Sequence, residues 1–151
     1  MKRYSYSDDV LRSILESTKT IAVVGASANS ERPVYHVMEF LMERGYCIYP
    51  VNPGLAGQQL FGRTVYASLS AIQQPVDMVD LFINSERTGI VVDEALSLPV
   101  RPQIIWMQLN IWNDSAAERA AASNIKVVMD RCVQQESIRL SVPAKTDKVI
   151  C

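Results

Sequence analysis

The chain has one histidine, His36, and three widely spaced cysteines, Cys47, Cys132 and Cys151. So few imidazoles and thiols leave little room for Cys/His metal chemistry or a histidine-based triad. An odd number of distant cysteines suggests neither a disulfide framework nor a zinc site. Charge of one sign is also lacking: 15 lysines and arginines stand against 16 aspartates and glutamates, and no basic run of five or more occurs. Modules that bind phosphodiester backbones usually carry a clear basic excess, so a nucleic-acid partner is disfavoured. No apolar run approaches the roughly 20 residues that span a bilayer, and the first nine residues lack the apolar centre of a signal peptide. These absences read as a cytoplasmic protein in a reducing compartment, without a membrane partner.

What remains is an ordinary globular composition, 48% hydrophobic and 21% charged over 151 residues. That length suits one domain with a substantial core. Residues 1–140 are expected to form it, and residues 141–151, which lack periodicity and contain Pro143, are expected to be a flexible tail.

Along the chain, apolar strands alternate with amphipathic helices. Ser7-Asp-Asp opens a short helix to Ser17, with Val10, Leu11, Ile14 and Leu15 on one face. Thr20-Ile-Ala-Val-Val-Gly25 is a continuous apolar run ending at glycine, the pattern of a strand buried on both faces. A helix from Pro33 to about Arg44, a strand Cys47–Val51 and a helical turn near 68–72 follow. Next come a strand 78–83, a helix 85–98, a strand 104–108, an Ala-rich helix opened by Asn113 and a strand 126–129. Repeated βαβ units predict a Rossmann-type, doubly wound, five-stranded parallel sheet in a three-layer α/β/α domain. The expected strand order is 3-2-1-4-5.

In such a sheet the ligand lies beyond the carboxyl ends of the strands, with phosphates at the start of the first helix after the glycine turn. There the sequence reads Gly25-Ala-Ser27-Ala-Asn-Ser-Glu-Arg32-Pro33. Gly25 permits a tight turn near a phosphate, Ser27 offers a hydroxyl, Arg32 a guanidinium fork, and Pro33 fits the first helical position. The same residues also suit a plain strand-to-helix turn with a solvated arginine. The Gly-x-Gly-x-x-Gly fingerprint is not satisfied, since positions 27 and 30 are serine. After the second strand stands Tyr49-Pro-Val51-Asn52-Pro53, without the acid that holds an NAD ribose. Asn52 can hydrogen-bond a base or ribose, and the prolines form a rigid apolar wall.

These segments, with Gly45-Tyr46, Val76-Asp-Met-Val-Asp-Leu-Phe82, Ile105-Trp-Met-Gln-Leu109 and Val128-Met-Asp-Arg-Cys132, resemble the small stand-alone CoA-binding domain proteins. That group is related to the CoA-binding domain of the succinyl-CoA synthetase α subunit. The resemblance covers residues 10–140 and implies a coenzyme A site at the first three strand ends. By it, Gly25, Ala26, Ser27 and Arg32 hold the phosphates, Val51, Asn52 and Pro53 face the adenosine end, and Phe82 lies beside the cofactor. The sequence departs from the family pattern at Val34, Gly54 and Ile83, where a polar or cationic phosphate partner is common.

Gln108 is a candidate to reach the pantetheine amides, and Cys132 stands near the expected place of the CoA thiol. His36 is expected on the solvated face of its helix, Trp106 in the core, and Asp130 and Arg131 paired with their neighbours. An inward Asp80 would need a partner. No nucleophile with an attendant base is visible. The reading is a non-catalytic module for CoA or acyl-CoA, serving as carrier, sensor or accessory to a CoA-using enzyme. Two alternatives remain: an NAD(P)-type redox sensor or enzyme, and a protein-interaction domain with a decayed nucleotide site.

Overall fold

The computed structural model describes residues 4–146. Helix α1 spans Asp8–Ser17, where the Ser7 hydroxyl accepts the Val10 N–H at 3.1 Å and two first-turn aspartates face the positive helix end. Strand β1 (Thr20–Val24) leads into α2 (Pro33–Glu43) and β2 (Cys47–Val51). A short antiparallel pair, β3 (Gln59–Leu60) and β4 (Arg63–Thr64), precedes β5 (Met78–Leu81). Then follow α3 (Ser85–Leu96), β6 (Ile104–Met107), α4 (Asp114–Ala122), β7 (Lys126–Val128) and α5 (Val133–Arg139). Asn84 and Asn113 cap α3 and α4 through their side-chain oxygens.

The five parallel strands run β2-β1-β5-β6-β7. Counting only the strands read from the sequence, the order is 2-1-3-4-5, which corrects the expected 3-2-1-4-5. Two sets of hydrogen bonds explain it. The Asp77 carboxylate accepts the N–H groups of Lys19 and Thr20 at 2.9 and 3.2 Å, while the Asp77 N–H donates to the carbonyl and hydroxyl oxygens of Thr20. This clamps the start of β5 to the start of β1. The outer edge of β2 is already taken by Tyr66, which donates to Pro50 O and accepts from the Asn52 N–H, each at 2.9 Å. A third strand has no free ladder there.

Alternation along the strands divides the core. Ile21, Val23, Ile48, Met78, Ile104 and Trp106 face α1, α2 and α5, whereas Ala22, Val24, Tyr49, Val79, Leu81, Ile105 and Met107 face α3 and α4. Trp106 is fully buried, and its indole N–H donates to Arg131 O at 2.8 Å. Asp80 occupies an inward position between Val23 and Trp106, fully buried, and neither carboxylate oxygen has a hydrogen-bond partner among the described residues. Burial pushes its pKa well above the ordinary carboxylate range.

Helix α5 was not expected from the sequence. Its buried Glu136 pairs with buried Arg131 at 3.2 Å and with Arg139 at 2.6 Å, and Arg139 reaches Asp8 of α1 at 3.0 Å. Arg131 also donates to Tyr4 O and lies over the Tyr6 ring. This network fastens the amino-terminal segment to α5.

The segment expected as a flexible tail is held at its start. Val142 is buried and donates to Ser137 O at 2.9 Å, the Lys145 N–H donates to Arg44 O at 2.8 Å, and the Lys145 ammonium reaches Leu15 O and Glu16 O. Residues 147–151 lie outside the described residues. Cys132 is a free, buried thiol. Among the described residues no helix is long and apolar enough to cross a membrane.

Candidate functional site

The carboxyl ends of β1 and β5 meet where the chain reverses direction across the sheet, the position at which doubly wound folds bind ligands. Gly25 closes β1 with φ of 90°, and a Cβ there would lie 3.1 Å from both Phe82 O and the Ile83 side chain. A left-handed backbone and close approach of β5 both require glycine. The Gly25 and Ala26 N–H groups point at Val51 O, at 3.0 and 3.2 Å. They join β1 to the end of β2 and are not turned outward.

Ser27 stands at the first bend of the loop, its hydroxyl accepting the Asn29 N–H at 3.0 Å. Asn52 clasps two loops: its amide nitrogen donates to Ala26 O at 2.7 Å, and its oxygen accepts the Gly54 N–H at 2.8 Å. Its hydrogen-bonding capacity is directed to these backbone groups. Val51 is buried and Pro53 exposed beside it. Of the three departures from the family pattern, Val34 and Ile83 are buried apolar residues, and Gly54 is exposed with its N–H given to Asn52.

A cleft of about 620 Å³ opens at this junction, within the range of small-molecule sites. Five expected residues, Gly25, Arg32, Pro33, Phe82 and Gln108, line it; Ala26, Ser27, Val51, Asn52 and Pro53 do not. One wall is the start of α2. Pro33 occupies its first turn, Arg32 offers no side-chain cap, and no acid stands in that turn, so the positive helix end has no counter-charge of its own. Among the described residues the Arg32 side chain has no ion pair or hydrogen bond. It is the one lysine or arginine among the lining residues, which include no carboxylate.

The floor is the end of β6. Gln108 is only 5% exposed, and its side-chain oxygen accepts the Val133 N–H at 3.3 Å. That bond fixes which end of the amide is which. The Nε2 group faces the cleft and has no hydrogen-bond partner among the described residues. That donor is accessible from the cleft and free to meet a ligand carbonyl.

The opposite wall joins the loop after β6 to α5. Asp130 and Asn110 both have left-handed backbones, and the Asp130 carboxylate accepts the Asn110 N–H at 2.7 Å. This holds Leu109, Asn110 and Ile111 over the cleft. Cys132, Gln134, Gln135 and Ile138 complete that side. His36, expected on a solvated face, is exposed but borders the cleft, its Nε2–H donating to Ser30 O at 2.7 Å.

Sequence reasoning missed the contribution of α5 and of the loop after β6. Gln134, Gln135 and Ile138 gave no signal because the helix that carries them shows no apolar stripe. A Gln108-Leu-Asn-Ile run after an apolar strand was the one available hint, since polar and apolar residues alternate there at a strand end.

Relatives share this architecture. A family model described as CoA binding domain matches residues 19–137. The uncharacterized protein YneT of Bacillus subtilis is 32% identical over 124 residues, spanning 82% of this chain and 89% of its own length. A solved structure from Thermus thermophilus is 38% identical with a TM-score of 0.84, over 89% of this chain and 99% of its own. A hypothetical protein from Pyrococcus horikoshii is 34% identical with a TM-score of 0.84, over 93% of this chain and 99% of its own. The chain belongs to the CoA binding domain family.

Proposed function

We propose that the cleft at the junction of β1, β5 and β6 binds coenzyme A, with the protein acting as a binding module, a carrier, sensor or accessory, and not as a catalyst. The observation that carries this reading is one cleft lined both by Arg32, unpaired among the described residues beside an uncapped helix start, and by Gln108, whose amide nitrogen has no partner among the described residues. Arg32 and the first turn of α2 suit a phosphate, through a charge-assisted fork and a helix end. The Gln108 amide suits a carbonyl of the pantetheine arm, and Phe82 supplies an apolar flank. The adenosine end is assigned to the exposed surface at Pro53. There Asn52 acts by fixing that turn against Ala26 O, not by reading a base. Ser27 retains a hydroxyl hydrogen for a phosphate, and Gly25 brings β1 close to β5 so that both ends open on one site.

Arg32 is also the residue whose loss should matter most, since Val34, Gly54 and Ile83 offer no second cation. Titration calorimetry with CoA tests this. The expected result is saturable binding by the wild type and a roughly 10- to 100-fold loss with Arg32→Ala. Arg32 is exposed and unpaired, so the variant's melting temperature without ligand should not change. Equal affinity of the two proteins for CoA, or no binding by either, overturns the assignment.

A further inference from the structure

Large apolar side chains left open on this molecule include Leu109, 42% exposed after β6, and Ile138, 56% exposed on α5. Both border the cleft, on two different elements, with half-buried Ile111 between the loop and the floor. They are not spare core: the buried contacts on this face are made by Val133, Leu140 and Trp106. Beneath them Gln108, 5% exposed and oriented by the Val133 N–H, presents amide hydrogens that no described residue accepts.

An N–H donor beside an open apolar wall suits a pantetheine carbonyl followed by an alkyl chain. A free thiol brings no apolar surface to cover Leu109 and Ile138. We infer that the cleft takes the acyl end of an acyl thioester, the acyl chain lying between Leu109 and Ile138 beyond the pantetheine carbonyl that accepts from Gln108. This rests on the CoA reading and names its ligand class: a medium-chain acyl-CoA is preferred to CoA itself. The side chains that set the preference come from the β6–α4 loop and α5. The phosphate end at Arg32 is common to both ligands.

Calorimetry with CoA and octanoyl-CoA, each titrated into the wild type and into Leu109→Ser/Ile138→Ser, separates the two claims. Burial of two or three methylene groups corresponds to roughly 15- to 60-fold in affinity, so the wild type should bind octanoyl-CoA at least roughly tenfold more tightly than CoA. In the double variant the ratio of the two affinities should fall toward one. Both substitutions are on exposed positions and should leave the fold intact, which circular dichroism verifies. CoA bound as tightly as octanoyl-CoA by the wild type, or a preference that survives in the double variant, overturns the acyl assignment and leaves the CoA reading standing. Failure of both ligands to bind overturns the CoA reading, and this inference with it.

Discussion

The side-chain oxygen of Gln108 accepts the backbone N–H of Val133 at 3.3 Å, so one amide both anchors the start of α5 and aims its nitrogen into the cleft. Two functions are thus combined in one nearly buried group at the end of β6. Gln108→Met keeps the length of the side chain and removes both. The orphaned Val133 N–H should cost roughly 1–3 kcal/mol in urea unfolding, and CoA affinity should fall about tenfold. A purely structural role would show the stability loss with unchanged CoA affinity.

Asn52 is expected to matter for stability more than its exposed neighbours. Asn52→Ala breaks the bonds to Ala26 O and Gly54 N that tie the end of β2 to the turn after β1. Loss of about 1–3 kcal/mol is expected by chemical denaturation. A change below about 0.5 kcal/mol, the usual range for a surface substitution, would show that the clasp contributes nothing.

Asp80 makes stability depend on pH in an unusual direction. Burial raises its pKa in the folded protein, so the folded state keeps the proton over a range where the unfolded chain has lost it. The unfolded state then binds fewer protons, and stability falls as pH rises above about 4, the ordinary carboxylate value, toward the raised value. Asp80→Asn, which cannot ionise, should melt higher than the wild type at pH 7, with the gain shrinking as pH approaches 4. A gain that is the same at both pH values would mean that ionisation of Asp80 does not oppose folding.

Much of this fold was legible in the sequence, because apolar strands bounded by glycine, proline and capping residues carry their own signals. Ser7, Asn113 and Pro33 mark helix starts as expected, and each strand read from the apolar runs is present. The strand order was not legible. It depends on Asp77 binding Thr20 and on Tyr66 covering the edge of β2, contacts between residues distant in sequence that no periodicity reveals.

The candidate site divides along the same line. Gly25, Arg32, Pro33, Phe82 and Gln108 stand at strand ends or a helix start, where topology alone places them around the cleft. Asn52 was expected to hydrogen-bond a base or ribose because its side chain is polar and follows a strand. Its bonds to Ala26 O and Gly54 N are to backbone groups invisible to a residue-by-residue reading. Helix α5 stayed hidden because its inward face carries Glu136 and Ser137 beside Val133, and the partner that allows Glu136 inside, Arg131, is defined only by the fold.

Mapping the amide shifts of isotope-labelled protein during a CoA titration tests the central claim most directly. The account predicts saturable changes at Gly25, Arg32, Phe82, Gln108 and Cys132, with the surface formed by α3 and α4 unaffected, and no such changes with NAD. Changes confined to the α3 and α4 face, the same response to NAD, or no response to CoA would contradict it.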